Sequence, residues 1–387
     1  MKKGCFYLSV LALGLMFSTT SCSDDDSNGN DSDYMKLANL DYSADNADNW
    51  GKYMVQVTNR LKKDASDLYD DWNTKYGESN QSYAELFKNP GTPGNSFGSY
   101  SECVQQLVEG CWDIANEVGT AKIGDPYDLY VSGDTEKALF AVESWYSWHS
   151  REDYCNNIYS IRNAYYGSRD GKVAVNSLSK AIAAVDPELD KTVTTAIEDA
   201  AEKILAIPTP FRNNINSSEA FNAMRACVAL GNTLTNELKP AATDLDEDIL
   251  EPIIKNYVDV VVLPTYTDLK KENSDLYDAV VAFQNAPSQV TMDACSKAWL
   301  DARIPWETSE AFLFGPVADM GLDPNMDSWP LDQNGIIQVL TKGDFSGLDW
   351  NGSYDEDDAN IAQVQSLRGY HTLEFLIFKD GKARSIK

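Results

Sequence analysis

Residues 257–266 read Tyr-Val-Asp-Val-Val-Val-Leu-Pro-Thr-Tyr, and the fold class turns on how they are taken. Val260-Val261-Val262 is the best strand candidate in the chain, because β-branched side chains suit a pleated surface. Yet Tyr257, Val260, Val261, Leu263 and Tyr266 fall within a helical period, and Pro264 is expected to kink that helix. No alternating β-branched run bounded by turns occurs elsewhere, so the expected fold is all-α. Working outward, Trp50, Tyr53, Met54, Val57, Leu61, Leu68 and Trp72 recur at three- and four-residue steps, an amphipathic helix stopped near Gly77. Val104 to Val118 gives another, ended at Gly119, and Val193 to Leu205 a third, ended by Pro208. Ser217-Ser218-Glu219 opens a fourth. Residues 239–248 read as a linker, with Pro240 followed by an acidic run, and residues 315–358 as loop-rich. The expected architecture is two packed, four-helix-like bundles, residues 46–240 and 241–387.

The 387 residues carry 32 Lys and Arg against 60 Asp and Glu, a formal charge of −28. Such a chain is not built to neutralise phosphates, which excludes nucleic acid as a partner. It favours cations, cationic ligands or plain solubility. With 43% hydrophobic residues it can bury an ordinary core. Beyond Cys5 and Cys22 there are five cysteines and no C-x-x-C. Cys103 and Cys111, eight apart on one expected helix, are beyond disulfide reach. The five read as small buried hydrophobes without zinc-site spacing.

Met1 to Ser21 has a basic start at Lys2 and Lys3, then an apolar run from Phe6 to Phe17, too short to span a bilayer. It resembles a bacterial lipoprotein signal, with Cys22 as the lipid-modified N-terminus, although Thr19 stands where Leu is usual. Ser23-Asp24-Asp25-Asp26 after it resembles the export signal of surface lipoproteins in Bacteroidetes-type bacteria, and residues 22–45 form an acidic polar tether. The expectation is a cell-envelope protein held to the outer membrane through acyl chains, with surface exposure.

Two short stretches carry candidate chemistry. In Gly369-Tyr-His-Thr-Leu-Glu374, His371 and Glu374 share one helical face. Arg303, Glu307 and Glu310 share another if the helix survives Pro305. A structural ion-pair network is the commoner explanation of such a triplet. A Glu-x-x-Glu pair can also offer hard oxygen ligands to a cation. Residues 143–168 mix aromatics with His149, Ser150, Asp153 and Asn157, a composition that suits an interface or a site wall. Ser150 is expected to cap the helix there, with Asp153 three residues on.

Taken together these stretches resemble the imelysin-like family. The resemblance rests on Trp299-x-x-x-Arg303, Ser309-Glu-Ala-Phe-Leu-Phe-Gly-Pro316, Asp327-Ser-Trp-Pro330 and Gly369-x-His371-x-x-Glu374, in that order. Ser147-x-x-Ser150-x-x-Asp153 leading to Tyr165-x-Gly167 matches the family's Ser/Asp segment more loosely. In most members the His motif lies in the first half; here it ends close to the C-terminus. That order implies a circular permutation, with residues 243–387 as the family's first half and 46–240 as its second. The resemblance implies a site between the bundles holding His371, Glu374, Arg303, Glu307 and Glu310, with Ser150, Asp153, Asn157 and His149 as a wall. The family was classed as metallopeptidases and is also linked to iron acquisition. With no H-E-x-x-H and two histidines, a zinc hydrolase is poorly supplied with ligands. Iron or another divalent or trivalent cation suits an oxygen-rich, single-His site better. The expected function is therefore binding in iron uptake, alongside uptake partner proteins. Metallopeptidase activity through His371 and Glu374, and a non-metal surface binder with a structural ion-pair network, remain the alternatives.

Overall fold

A computed structural model describes residues 36–77 and 79–386. The leader, Cys22 and most of the tether lie outside the described residues. The helices that build and support the site are α1 (Ala47–Asn73), α2 (Tyr100–Glu117), α3 (Ser150–Tyr166), α4 (Pro187–Ala206), α5 (Ser218–Thr233), α6 (Leu263–Asn285), α7 (Gln289–Glu307) and α8 (Tyr370–Ile377). Their starts follow local chemistry. Ser99, Ser217 and Ser288 each accept from a backbone N–H in the first turn, and Asp186 does so ahead of Pro187 at the first helical position. Among the described residues no helix is long and apolar enough to cross a membrane.

The all-α expectation holds, with a two-residue hairpin after α8 as the exception. There β1 (Phe378–Lys379) pairs antiparallel with β2 (Lys382–Ala383), Phe378 opposite Ala383. Residues 257–262 are helical, as a π turn that runs into α6, and Pro264 follows directly on that turn within the continuous helix. Three boundaries differ from expectation. The helix expected to stop at Gly119 continues as a π turn to Lys122, and a further helix opens at Gly124. The expected linker is largely helical, from Leu234 through Thr243 and again from Glu247. Within 315–358 there are short helices at Pro316–Met320, Leu322–Asp327 and Gln333–Lys342.

Helices α2, α3, α4 and α5 pack on one another, as do α1, α6, α7 and α8, and α3 meets α7 between the two groups. The packing therefore crosses the boundary expected at 240/241. Although α1 is N-terminal, its Trp50 indole donates to the Leu376 carbonyl at 3.0 Å and its Tyr53 hydroxyl to the Leu367 carbonyl at 2.6 Å. The aromatic stripe on α1 finds its matching apolar surface on α6 and α8, and burial, which is non-directional, ignores sequence order. All five later cysteines are free and buried, as expected.

Candidate functional site

Gly369 sets the entry of α8. Its φ is +91°, and a Cβ there would stand 2.6 Å from the Met326 carbonyl oxygen, so only glycine lets the two segments approach. The helix that follows is buried from Tyr370 to Ile377, and it carries His371 and Glu374 inside with no exposed surface. His371 Nδ1 lies 3.0 Å from Glu374 Oε2. Glu374 Oε1 accepts from the Tyr146 N–H at 3.0 Å, the Ser147 N–H at 2.7 Å and the Ser147 hydroxyl at 2.7 Å. Both oxygens of this carboxylate are thus engaged, and Glu374 locks the turn before α3 to α8.

On α7 the helix continues through Pro305 to Glu307, so Arg303 and Glu307 share a face, and Glu310 follows on a 3₁₀ turn. Arg303 is the hub. Its guanidinium pairs with Glu307 and Asp327 and stands 3.6 Å from Asp153, and it lies 5.1 Å from the Tyr370 ring centroid. Asp327 also accepts from the Trp306 indole at 2.8 Å and stands 3.2 Å from His371 Nε2. Trp329 covers His371 edge-on, with ring centroids 5.1 Å apart.

The wall from α3 converges on this hub. Asp153 accepts from the Ser144 hydroxyl at 2.5 Å and lies 3.0 Å from His149 Nδ1. Asn157 donates to Glu307 Oε2 at 2.5 Å. Ser150 does not cap α3; His149 holds that position, and the Ser150 hydroxyl donates to the Glu143 carbonyl at 2.6 Å. Its role is to hold the turn that Glu374 grips.

The electrostatics sort these acids into two sets. Burial pushes carboxyls up, yet Arg303 and His149 outweigh it at Asp153, and Arg303 and His371 outweigh it at Asp327, so both are held below the usual range. At Glu307 and Glu310 burial wins, reinforced by neighbouring carboxylates, and both are raised. Asp323 is pushed up to about 7 by burial and then by Glu117 and Asp327. The opposing charges, Arg303 and Lys122 at Glu307 and Lys122 at Glu310 and Asp323, do not overcome burial there. Burial works against a charged His149, but Asp153 beside it raises that imidazole on balance.

Glu307, Glu310 and Asp327 each offer a carboxylate oxygen, and the offered atoms lie within 4.8 Å of one another. Oxygens at that spacing can share a hard cation, whose bonds run about 2.0–2.6 Å. Buried His371 Nε2 and Asn157 Oδ1 make no hydrogen bond, which leaves further ligand-type atoms beside the cluster. The residues present therefore fit an oxygen-rich cation site, and they do not fit a tetrahedral nitrogen and sulfur site for zinc. Arg303 cannot ligate, and Glu374 is committed elsewhere. Asp327 was visible in the sequence only as part of the Asp-Ser-Trp-Pro run. Glu143 and Ser144 lay within the 143–168 stretch without being singled out, and Lys122 carried no signal, because a π segment brings it inward.

The imelysin family model matches residues 16–238 and 262–387. The chain belongs to the imelysin family. A crystal structure of an imelysin peptidase from Bacteroides ovatus is 51% identical with a TM-score of 0.87, covering 91% of this chain and all of that one. An iron-regulated protein A from Synechococcus elongatus is 32% identical over 167 residues, 43% of this chain and 42% of that protein. The chain thus spans under half the length of that curated relative. Membership fits the geometry: the family motif residues His371 and Glu374 are the ones that join α8 to the Arg303 hub and to the turn before α3.

Proposed function

We infer that this imelysin-family protein is an envelope protein of iron acquisition that binds iron, or another hard divalent or trivalent cation, at Glu307, Glu310 and Asp327, with His371 Nε2 alongside. The observation that carries the reading is the surplus of buried carboxylate over the positive charge of Arg303 and Lys122. Glu307 and Glu310 are both raised by burial and by each other's neighbours, a condition that a bound cation relieves. The iron-regulated relative supports the choice of metal. Anchoring through Cys22 and delivery to or from uptake partner proteins complete the proposal. So does the permuted chain order, which is supported by the contact of residues 40–41 with the C-terminal hairpin: Arg384 donates to the Leu40 carbonyl at 2.9 Å and pairs with Asp41 at 3.1 Å.

The test is metal analysis of protein purified without chelators, beside E310Q and H371A. Near-stoichiometric iron in the parent protein, reduced in E310Q and H371A while each stays folded, is expected. Absence of metal after exposure to iron under several conditions would sink the reading. The name of the Bacteroides relative raises peptidase activity as a second reading. Glu374, with both oxygens engaged, is poorly suited to take a proton from water, which supports binding over hydrolysis. Cleavage of unfolded substrates with added zinc, lost in E374A, would reverse that preference.

A further inference from the structure

Three helices pin the short turn that carries Glu310. The Ala311 N–H donates to the Ser160 hydroxyl on α3 at 3.0 Å, and the Tyr266 hydroxyl on α6 donates to the Phe312 carbonyl at 3.0 Å. From α2, Gly110 comes so close that a Cβ on it would collide with the Ala311 carbonyl oxygen. Glu307, just before that turn, is held from α3 as well. Asn157 Nδ2 donates to Glu307 Oε2 at 2.5 Å and reaches the Glu307 carbonyl at 3.4 Å. Ser160 is three residues on from Asn157, and its hydroxyl donates to the Asn157 carbonyl at 2.6 Å. A single turn of α3 therefore grips both glutamates of the cluster, one by its side chain and the other by the backbone beside it. Side chains carried this way are placed before any ligand arrives.

Asn157 has no exposed surface, and its amide is half used. Nδ2 faces the Glu307 carboxylate, while Oδ1 makes no hydrogen bond. An amide oxygen buried without a partner is costly to keep. If Asn157 served only to hold Glu307, a donor would be enough, and the free acceptor has no such use. The two amide atoms share one carbon, which keeps Oδ1 within about 5 Å of Glu307 Oε2. That matches the spacing inside the cluster, where the oxygens of Glu307, Glu310 and Asp327 lie within 4.8 Å of one another. Three carboxylates are fewer than the roughly six oxygens that a hard cation takes. A neutral amide oxygen adds a hard ligand without adding charge to acids that burial already opposes.

We propose that Asn157 Oδ1 is a ligand of the cation held by Glu307, Glu310 and Asp327, so that the bound ion joins α3 to α7 across the two groups of helices. The proposal rests on the cation-site reading above. It gives one amide two tasks: Nδ2 fixes Glu307, and Oδ1 meets the ion. The site is then built from both helix groups, and neither group holds the full ligand set alone.

The experiment uses the full chain, with Mn²⁺ and Co²⁺ as probes. N157L nearly keeps the volume and removes both amide atoms, and Mn²⁺ should bind it about tenfold or more weakly than the parent protein. That loss would also follow if Asn157 merely positioned Glu307, so Co²⁺ is titrated into N157C, which places a thiolate where the amide stood. A thiolate bound to Co²⁺ gives a sulfur-to-metal charge-transfer band. The band should grow in N157C as Co²⁺ is added and be missing from the parent titrated alongside. Unchanged Mn²⁺ affinity in folded N157L overturns the proposal and leaves the cation site standing. So does absence of the band from N157C, which reduces Asn157 to a positioning residue for Glu307. If N157L does not fold, N157A takes its place in the Mn²⁺ titration. If the parent binds neither ion, the cation site and the proposal fall together.

Discussion

Arg303 and Arg384 are both almost fully buried arginines stacked near aromatic rings, and they differ in what surrounds the guanidinium. Arg384 donates to the Phe375 carbonyl at 2.7 Å and the Leu40 carbonyl at 2.9 Å, and the acid it pairs with, Asp41, is largely exposed. Burial dominates there, and its pKa falls to about 10 despite Asp41. Arg303 faces Asp327, Glu307 and Asp153, none more than 3% exposed, and their fields outweigh burial and raise it. Neutral carbonyls around a cation make a staple between residue 40 and the C-terminal segment. A crowd of acids around a cation makes an unbalanced cluster, and imbalance is what a ligand can exploit.

The largest expected effect comes from removing the hub. R303M leaves three buried carboxylates without their partner and should cost about 4 kcal/mol in urea denaturation, the usual penalty for breaking a buried ion network. Added Mn²⁺ should recover part of that loss. R384M should cost about 2 kcal/mol, from hydrogen bonds of a charged donor to carbonyls, and Mn²⁺ should recover none of it. Recovery in both variants, or in neither, would erase the distinction between cluster and staple. S147A is smaller still. It removes one of the donors to Glu374 Oε1 and leaves the backbone N–H groups of Tyr146 and Ser147, so about 1 kcal/mol is expected, with Mn²⁺ affinity nearly unchanged. A large loss of Mn²⁺ binding in S147A would instead make the turn before α3 part of the cation site.

The helices were legible because their apolar positions repeat. The stripe from Trp50 to Trp72 depends only on local spacing and appears as expected, whereas 257–266 is helical but opens as a π turn that leaves Val260 exposed. The His371 and Glu374 pair, the Arg303 and Glu307 pair and the Asp153 and Asn157 wall were legible for the same reason, since three- and four-residue spacing fixes a shared face. What was hidden depends on contacts distant in sequence. That α1 packs against α6 and α8 follows from matching surfaces. Ser150 reads as a cap, but the hydroxyl finds the Glu143 carbonyl once the turn before α3 folds back. Lys122 was invisible because helical spacing carried past Glu117 misplaces it by the residue that the π turn adds.

The subtlest prediction concerns pH and separates the two regions once more. Asp323 is pushed up to about 7 in the folded protein by burial and then by Glu117 and Asp327. Its unfolded value is the ordinary one near 3.8. Between those values the folded state holds more protons than the unfolded one, so its contribution to stability is complete below about pH 4 and is lost as pH rises toward 7. Glu307 and Glu310, also raised, act in the same direction. The cation-free protein should therefore lose stability across this window, and D323N should make the loss shallower. A bound cation should flatten the curve further, because it favours the charged carboxylates that burial opposes. Chemical denaturation at several pH values, with and without Mn²⁺, reads this directly. A parent curve that Mn²⁺ leaves unchanged, together with a D323N curve parallel to it, would mean that the acids near Arg303 are as settled as the carbonyls around Arg384.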